Sequence, residues 1–189
     1  MNSRKLLETL SIAERLKDTT RHCTTSKGRP ESVAEHSWRA ALMAYFLRDE
    51  FPDADMDKVI RMCLIHDLGE AFTGDIPTFL KTKSDEETEA ALLSAWVSSL
   101  PAPYQSEMQA LYAEMAALET VESKIYKAID GLEAVIQHNE SPLHTWGENE
   151  YQLNQTYGYD KVQFSDYLIS LRDLMRQDTI EKIQKEGQA

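Results

Sequence analysis

Apolar residues recur along this chain every three to four positions, and that period predicts helices nearly throughout. Leu6, Leu7, Leu10, Ala13 and Leu16 mark residues 3–17 as an amphipathic helix packed on a core. Residues 18–31 carry no period, and their Thr, Ser, Gly and Pro content predicts an irregular connection. Ser32-Val33-Ala34-Glu35 has the form of a capping box, so a helix starts there and runs through Trp38, Ala41, Leu42, Tyr45 and Phe46 to about Asp49. Phe51-Pro52-Asp53 breaks the chain. The next helix begins near Asp55 and carries Val59, Ile60, Met62, Cys63, Leu64 and Ile65 into His66-Asp67. Its apolar content is too broad for a surface helix, so it is expected to be the central, largely buried one.

Ser84-Asp85-Glu86-Glu87 reads as a second capping box, opening a helix to about Leu100. Pro101-Ala102-Pro103 connects it to a helix carrying Met108, Leu111, Tyr112, Met115 and Leu118, with Pro103 in its first turn. A further helix from near Glu119 carries Val121, Ile125, Ile129, Leu132, Val135 and Ile136, with Asp130 inside it. Residues 139–163 are loop-like with room for short helical pieces, and a last amphipathic helix spans about 164–185. The expected fold is all-α, a single-domain helical bundle over residues 1–189. Only seven Gly and six Pro interrupt it.

Charge narrows the function. A net charge of −12 argues against binding nucleic-acid polymers, which depends on Lys and Arg meeting phosphates. It leaves room for one small phosphorylated ligand if a metal and an Arg neutralise it locally. No apolar run approaches the roughly 20 residues of a membrane span. Cys23 and Cys63 form no C-x-x-C pair, and Arg4, Lys5, Glu8, Glu14 and Arg15 give the N-terminus no secretory character. The expectation is a cytoplasmic protein with reduced thiols.

The stretch Cys63–Asp75 carries the chemistry. It opens apolar, then sets His66 beside Asp67, with Glu70 and Asp75 following. Buried carboxylates need a partner, and a metal ion is one. Completing a coordination shell requires ligands from elsewhere. The candidates are His36 at a helix start and Asp130 in an apolar helical segment, although Asp130 would equally serve to bond Lys127. Glu35 has two readings, as the helix cap or as a group that orients His36. His22, His138 and His144 stay outside the set, and His138, near a helix end, is expected on the surface.

These blocks, in this order, resemble the HD superfamily of metal-dependent phosphohydrolases. Glu31-Ser32-Val33-Ala34-Glu35-His36-Ser37, His66-Asp67-Leu68-Gly69-Glu70, Thr73-Gly74-Asp75-Ile76-Pro77 and Lys127-Ala128-Ile129-Asp130 are similar to its 5′-deoxynucleotidase branch. The resemblance covers roughly residues 15–137. It implies His36, His66, Asp67 and Asp130 as metal ligands. Mixed nitrogen and oxygen ligands suit Mn, Co, Fe, Ni or Zn better than Mg. It also implies a nucleoside 5′-monophosphate as substrate.

The resemblance points to Arg21, fifteen residues before His36, as the group that meets the phosphate, with Arg29 and Lys27 as alternatives in the same loop. Glu70 and Asp75 are the expected catalytic acids. Arg21, His22 and Asp75 are the expected substrate contacts. The bacterial deoxynucleotidases carry a Trp directly after that Arg, against the ribose 2′ position. Here the residue is His22, so sugar preference does not carry over, and base preference is unreadable. A homodimer is also expected, with Trp96, Met108 or Trp146 able to serve if exposed. Three other readings stand beside this one. The first is an HD phosphohydrolase for another small phosphorylated metabolite or signalling nucleotide. The second is a non-catalytic, metal-bound sensing module, which Arg21, Glu70 and Asp75 speak against. The third is a purely structural bundle, which leaves His66-Asp67 unexplained.

Overall fold

The computed structural model describes residues 1–187. The helices are α1 (Ser3–Glu14), α2 (Val33–Phe46), α3 (Met56–Ile65), α4 (Glu70–Thr73), α5 (Lys83–Ser98), α6 (Tyr104–Ala117), α7 (Val121–Glu140), α8 (Glu150–Thr156) and α9 (Asp166–Glu186). Strands β1 (Thr20–Thr24) and β2 (Pro30–Ser32) form an antiparallel hairpin. The fold is all-α apart from that hairpin.

The centre is α7, not α3. Ile125, Ala128, Ile129, Leu132 and Val135 are buried along it, and α2, α3, α6 and α9 all pack on it. Residues 56–65 bury only Met56, Val59, Met62 and Cys63, while Arg61 and Leu64 face outward. The breadth of apolar residues there overstated its burial. The main core joins Ala40 and Ala44 of α2, Val59 and Met62 of α3, Ile125 and Ile129 of α7, and Leu168 and Met175 of α9. Each large aliphatic side chain fully withdrawn from water contributes about 1.5–3 kcal/mol. A smaller core gathers Leu16, Val33, Leu68 and Ala71, with Trp96 and Met108 against it.

Three further expectations change. Residues 18–31 are not irregular: the hairpin closes through Thr25–Gly28, where Gly28 takes φ 78°, open to glycine at no steric cost. On α1, Leu6, Leu7 and Leu10 are exposed, and only Ile12, Ala13 and the following Leu16 pack. The second capping box uses Thr82 and Asp85, so the cap of α5 lies two residues before the expected Ser84. A polar Thr two residues upstream offered the same side-chain chemistry. The Ser32–Glu35 box forms as expected.

The end of the chain is tied down by a buried cation. Arg172 on α9 is fully buried, and its guanidinium donates to the carbonyl oxygens of Tyr157 and Asn154, both at 2.8 Å. Those carbonyls belong to the last turn of α8 and the residue after it, which the helix itself leaves without donors.

Candidate metal centre

Four side chains from three elements meet beside α7. His36 lies in the first turn of α2, His66 and Asp67 in the turn after α3, and Asp130 within α7. His36 Nε2 is 3.1 Å from His66 Nε2, 3.6 Å from Asp67 Oδ2 and 3.3 Å from Asp130 Oδ1. His66 Nε2 is 3.1 Å from Asp67 Oδ2 and 3.6 Å from Asp130 Oδ1.

The remaining ring nitrogens have partners of their own. His36 Nδ1 meets the carboxylate of Glu133, which Arg39 Nε holds from its other oxygen at 2.5 Å. His66 Nδ1 is 2.7 Å from the Cys63 carbonyl oxygen. Both Nδ1 atoms therefore carry protons, and both Nε2 atoms present lone pairs to each other and to two carboxylates. Four acceptor atoms converging in this way need a cation among them. Two imidazoles and two carboxylates fit a divalent transition-metal ion, with the Nδ1 contacts fixing ring orientation.

The charge response of the group agrees. Burial and Arg21 act to lower the His36 pKa, yet Asp130 and Glu133 outweigh them and raise it. Burial acts to raise Asp67, yet His66 and His36 pull it down to about 2. Asp130 faces both groups the sequence left open: its Oδ1 lies 3.3 Å from His36 Nε2, and its Oδ2 accepts from Lys127 Nζ at 2.9 Å.

A cavity of about 300 Å³ opens over these groups. Arg21, His22, Asp67, Glu70, Asp75 and Asp130 all line it. Arg21 reaches in from β1, with Nε 3.2 Å from Glu31 Oε2 and Nη1 3.8 Å from Asp67 Oδ2. Glu70 is the first residue of α4 and is buried, and its Oε2 has no hydrogen-bond partner among the described residues. Burial pushes its pKa up, and Asp67 and Asp75 add to this, to about 9. Gly74 ends α4 at φ 79°, a left-handed conformation that turns the chain so that Asp75 faces the same space.

Several sequence expectations land elsewhere. Glu35 accepts from the Ser32 backbone and pairs with exposed Arg29, so it is a cap, and Glu133 orients His36 instead. That pairing leaves Arg29 bound on the surface. His138 is buried and lines the cavity, because α7 runs on to Glu140 and its last turn stays enclosed. Trp146 is buried, and Trp96 and Met108 are partly buried against the smaller core. Sequence reasoning missed Glu133, Arg39 and Glu150. Glu133 had a signal, a charge between Leu132 and Ala134 in an apolar helix. Glu150 had none.

Comparison with known proteins follows the same outline. The HD-domain family model matches residues 13–172. The 5′-deoxynucleotidase HDDC2 of Bos taurus is 30% identical over 142 residues, 73% of this chain and 68% of its own. The 5′-deoxynucleotidase hdd1 of Schizosaccharomyces pombe is 27% identical over 161 residues, 79% of this chain and 80% of its own. Among solved structures, a protein from Magnetospirillum magnetotacticum MS-1, described as a predicted metal-dependent phosphohydrolase, shares the fold with a TM-score of 0.74 at 24% identity. That likeness covers 94% of this chain and 93% of the other. With the family match spanning most of the sequence and His36, His66, Asp67 and Asp130 gathered at one point, the chain belongs to the HD domain family.

Proposed function

We propose that this protein hydrolyses nucleoside 5′-monophosphates to nucleoside and phosphate, with a divalent transition-metal ion held by His36, His66, Asp67 and Asp130. The observation that carries the reading is the convergence of those four acceptor atoms on the floor of a cavity that also holds Arg21, Glu70 and Asp75. The names of the relatives, 5′-deoxynucleotidases, support the substrate class. Nitrogen ligands favour Mn, Co, Fe, Ni or Zn over Mg.

When bound, the ion supplies a water of lowered pKa and neutralises phosphoryl charge. The chain supplies the rest. Arg21 brings a planar pair of donors to the phosphoryl oxygens, where charge builds during in-line displacement. Glu70 has a pKa within reach of neutrality and exchanges a proton with the attacking water or the leaving oxygen. Asp75, from the other side of Gly74, takes the complementary proton or holds the sugar. His22 sits next to Arg21 on the strand and contacts the nucleoside.

The reading extends to a cytoplasmic homodimer. Both cysteines are buried free thiols, and no helix among the described residues is long and apolar enough to cross a membrane. Leu6 and Leu7 of α1 and Trp38, Tyr45 and Phe46 of α2 are exposed and provide apolar contact area.

The test is metal analysis of the purified protein together with phosphate release from a panel of ribo- and deoxyribonucleoside monophosphates. Bound metal and release stimulated by Mn or Co are expected. No metal, and no release with either ion added, overturns the reading.

A further inference from the structure

A second group of imidazoles and a carboxylate converges in the wall of the same cavity. His22 Nε2 lies 3.0 Å from Glu150 Oε1, and His138 Nε2 lies 3.2 Å from the same oxygen. The three ligand atoms all fall within 4.8 Å of one another. All three residues line the cavity. His22 comes from β1, His138 from the last turn of α7 and Glu150 from the start of α8.

Hydrogen bonding narrows what occupies the meeting point. His138 Nδ1 is 3.1 Å from the Ala134 carbonyl oxygen, a contact that requires a proton on Nδ1. In the neutral ring, Nε2 is then a lone pair aimed at a carboxylate oxygen, two acceptors with no hydrogen between them. Glu150 is held in place from its other side, where Oε2 accepts from the Gly147 amide at 2.6 Å. A cation belongs between these atoms. A proton on His138 would satisfy the His138–Glu150 contact, with neutral His22 donating from Nε2 to the same oxygen, whereas a metal ion draws a lone pair from all three atoms to one point.

The construction repeats that of His66, whose Nδ1 also bonds a carbonyl one helical turn back while Nε2 faces the centre. Such a contact fixes the tautomer and orientation of a metal-ligating ring. Two His and one Glu are a ligand set that zinc uses with its fourth position open. The geometry points to a second metal site, formed by His22, His138 and Glu150, for a zinc-like divalent ion whose open position faces the cavity. Asp130 and His138 are eight residues apart on α7, about 12 Å of helical rise. The two sites are therefore separate, unlike the ions of a bridged pair, which sit about 3.5–4 Å apart.

Zinc stoichiometry after equilibrium dialysis tests this on the full chain, with Asp67→Ala, Glu150→Gln, His22→Phe and the Asp67→Ala/Glu150→Gln double variant. Two ions are expected in the parent, one in Asp67→Ala, one in Glu150→Gln and none in the double variant. His22→Phe removes a ligand and is expected to weaken the second ion by more than the roughly 10–100-fold that loss of an outer-shell partner costs. His22 faces solvent from a hairpin, so this variant carries the test if Glu150→Gln does not fold. With cobalt, the visible absorption of a four-coordinate site is expected to persist in Asp67→Ala and vanish in Glu150→Gln.

One ion in the parent, absent from Asp67→Ala, overturns the second site and leaves the hydrolytic reading standing. That result is also what a protonated His138–Glu150 pair gives. Two ions that survive both Glu150→Gln and His22→Phe overturn it as well. An ion lost with Glu150→Gln but indifferent to Asp67→Ala supports the second site while the first reading fails.

Discussion

The two histidine–carboxylate clusters share a cavity but are built to different standards of rigidity. The first takes its members from α2, α7 and the turn after α3, and its two imidazoles are 0% and 3% exposed. Both rings are braced from behind, His36 by Glu133 and His66 by the Cys63 carbonyl. In the second, only His138 has such a brace, and His22, 29% exposed, stands on a two-stranded hairpin. A two-stranded hairpin is marginal alone and needs packing to hold its shape. This one is held by Gln137 Nε2, which donates to the Thr24 carbonyl at 2.5 Å, and by a hydrogen bond between the Thr24 and Thr145 hydroxyls. Metal affinity in the first cluster should therefore depend on buried charges, and in the second on how well the hairpin is fastened.

The comparison can be broken most directly by removing a ligand. Asp67→Ala is expected to lose the first ion and more than roughly 10²-fold of phosphate release, while leaving the second cluster's geometry intact. Activity assays beside metal analysis check this. Survival of turnover would move the chemistry away from the first cluster. Next in size is Arg21→Gln. It should lower kcat/KM by roughly 10²-fold with both ions retained, because Arg21 works on the phosphoryl charge and not as a ligand. If metal is lost as well, the ion pair with Asp67 matters to the first cluster more than the phosphate does.

Glu133→Gln probes the bracing itself. Metal affinity at the first cluster should fall by roughly 10–100-fold, read by competitive titration with a chelator, and zinc at the second should be unchanged. The reverse pattern is expected of Gln137→Ala. It frees one hydrogen bond of the hairpin, worth about 1 kcal/mol, so binding at the second cluster weakens several-fold. Gln137 Oε1 also accepts from Arg39 at 2.6 Å, but Arg39 keeps its direct bond to Glu133, so the first cluster changes less than the second.

The smallest effect concerns Glu35, next to His36 in sequence but outside the cluster. Hydrogen bonds from Arg29 lead in holding its pKa down, against partial burial and with help from Ser32, at about 2. A depressed carboxyl pKa stabilises the fold above the unfolded value near 4.5, and the contribution disappears as pH falls toward 2. Thermal melts of the parent and Glu35→Gln should differ by at most about 1 kcal/mol at pH 6 and converge near pH 2, since the pair is exposed. Loss of metal in Glu35→Gln would contradict its role as a cap alone.

How much could be read from the chain follows the same division. His66-Asp67 stood out because charge inside an apolar run has to be explained, and the helix-start position of His36 was set by the Ser32 box. Asp130 sits in a helix so apolar that its carboxylate demanded a partner; Glu133, three residues on, carried the same signal and was missed. The order of helices was legible for the same reason, since period and caps are local. What was not legible depends on contacts distant in sequence. The hairpin at 20–32 forms because α7 offers Gln137 to the Thr24 carbonyl, and nothing in residues 18–31 announces that. Burial of α3 was overestimated because periodicity counts apolar residues and not the neighbours that cover them. Glu150 lay in a polar stretch, where a carboxylate ordinarily meets water, and only the fold turns it toward His138.

Arg172 has a consequence for where this protein can be cut. No residue of α9 lines the cavity. Yet the guanidinium of Arg172 holds the final carbonyls of α8, the short helix whose first residue is Glu150. A fragment ending before residue 172 would keep every candidate ligand in its sequence and still lose the clasp that seats one of them. The minimal unit of this protein is thus longer than the span of its chemistry, and the boundary is drawn by an arginine that touches no ligand.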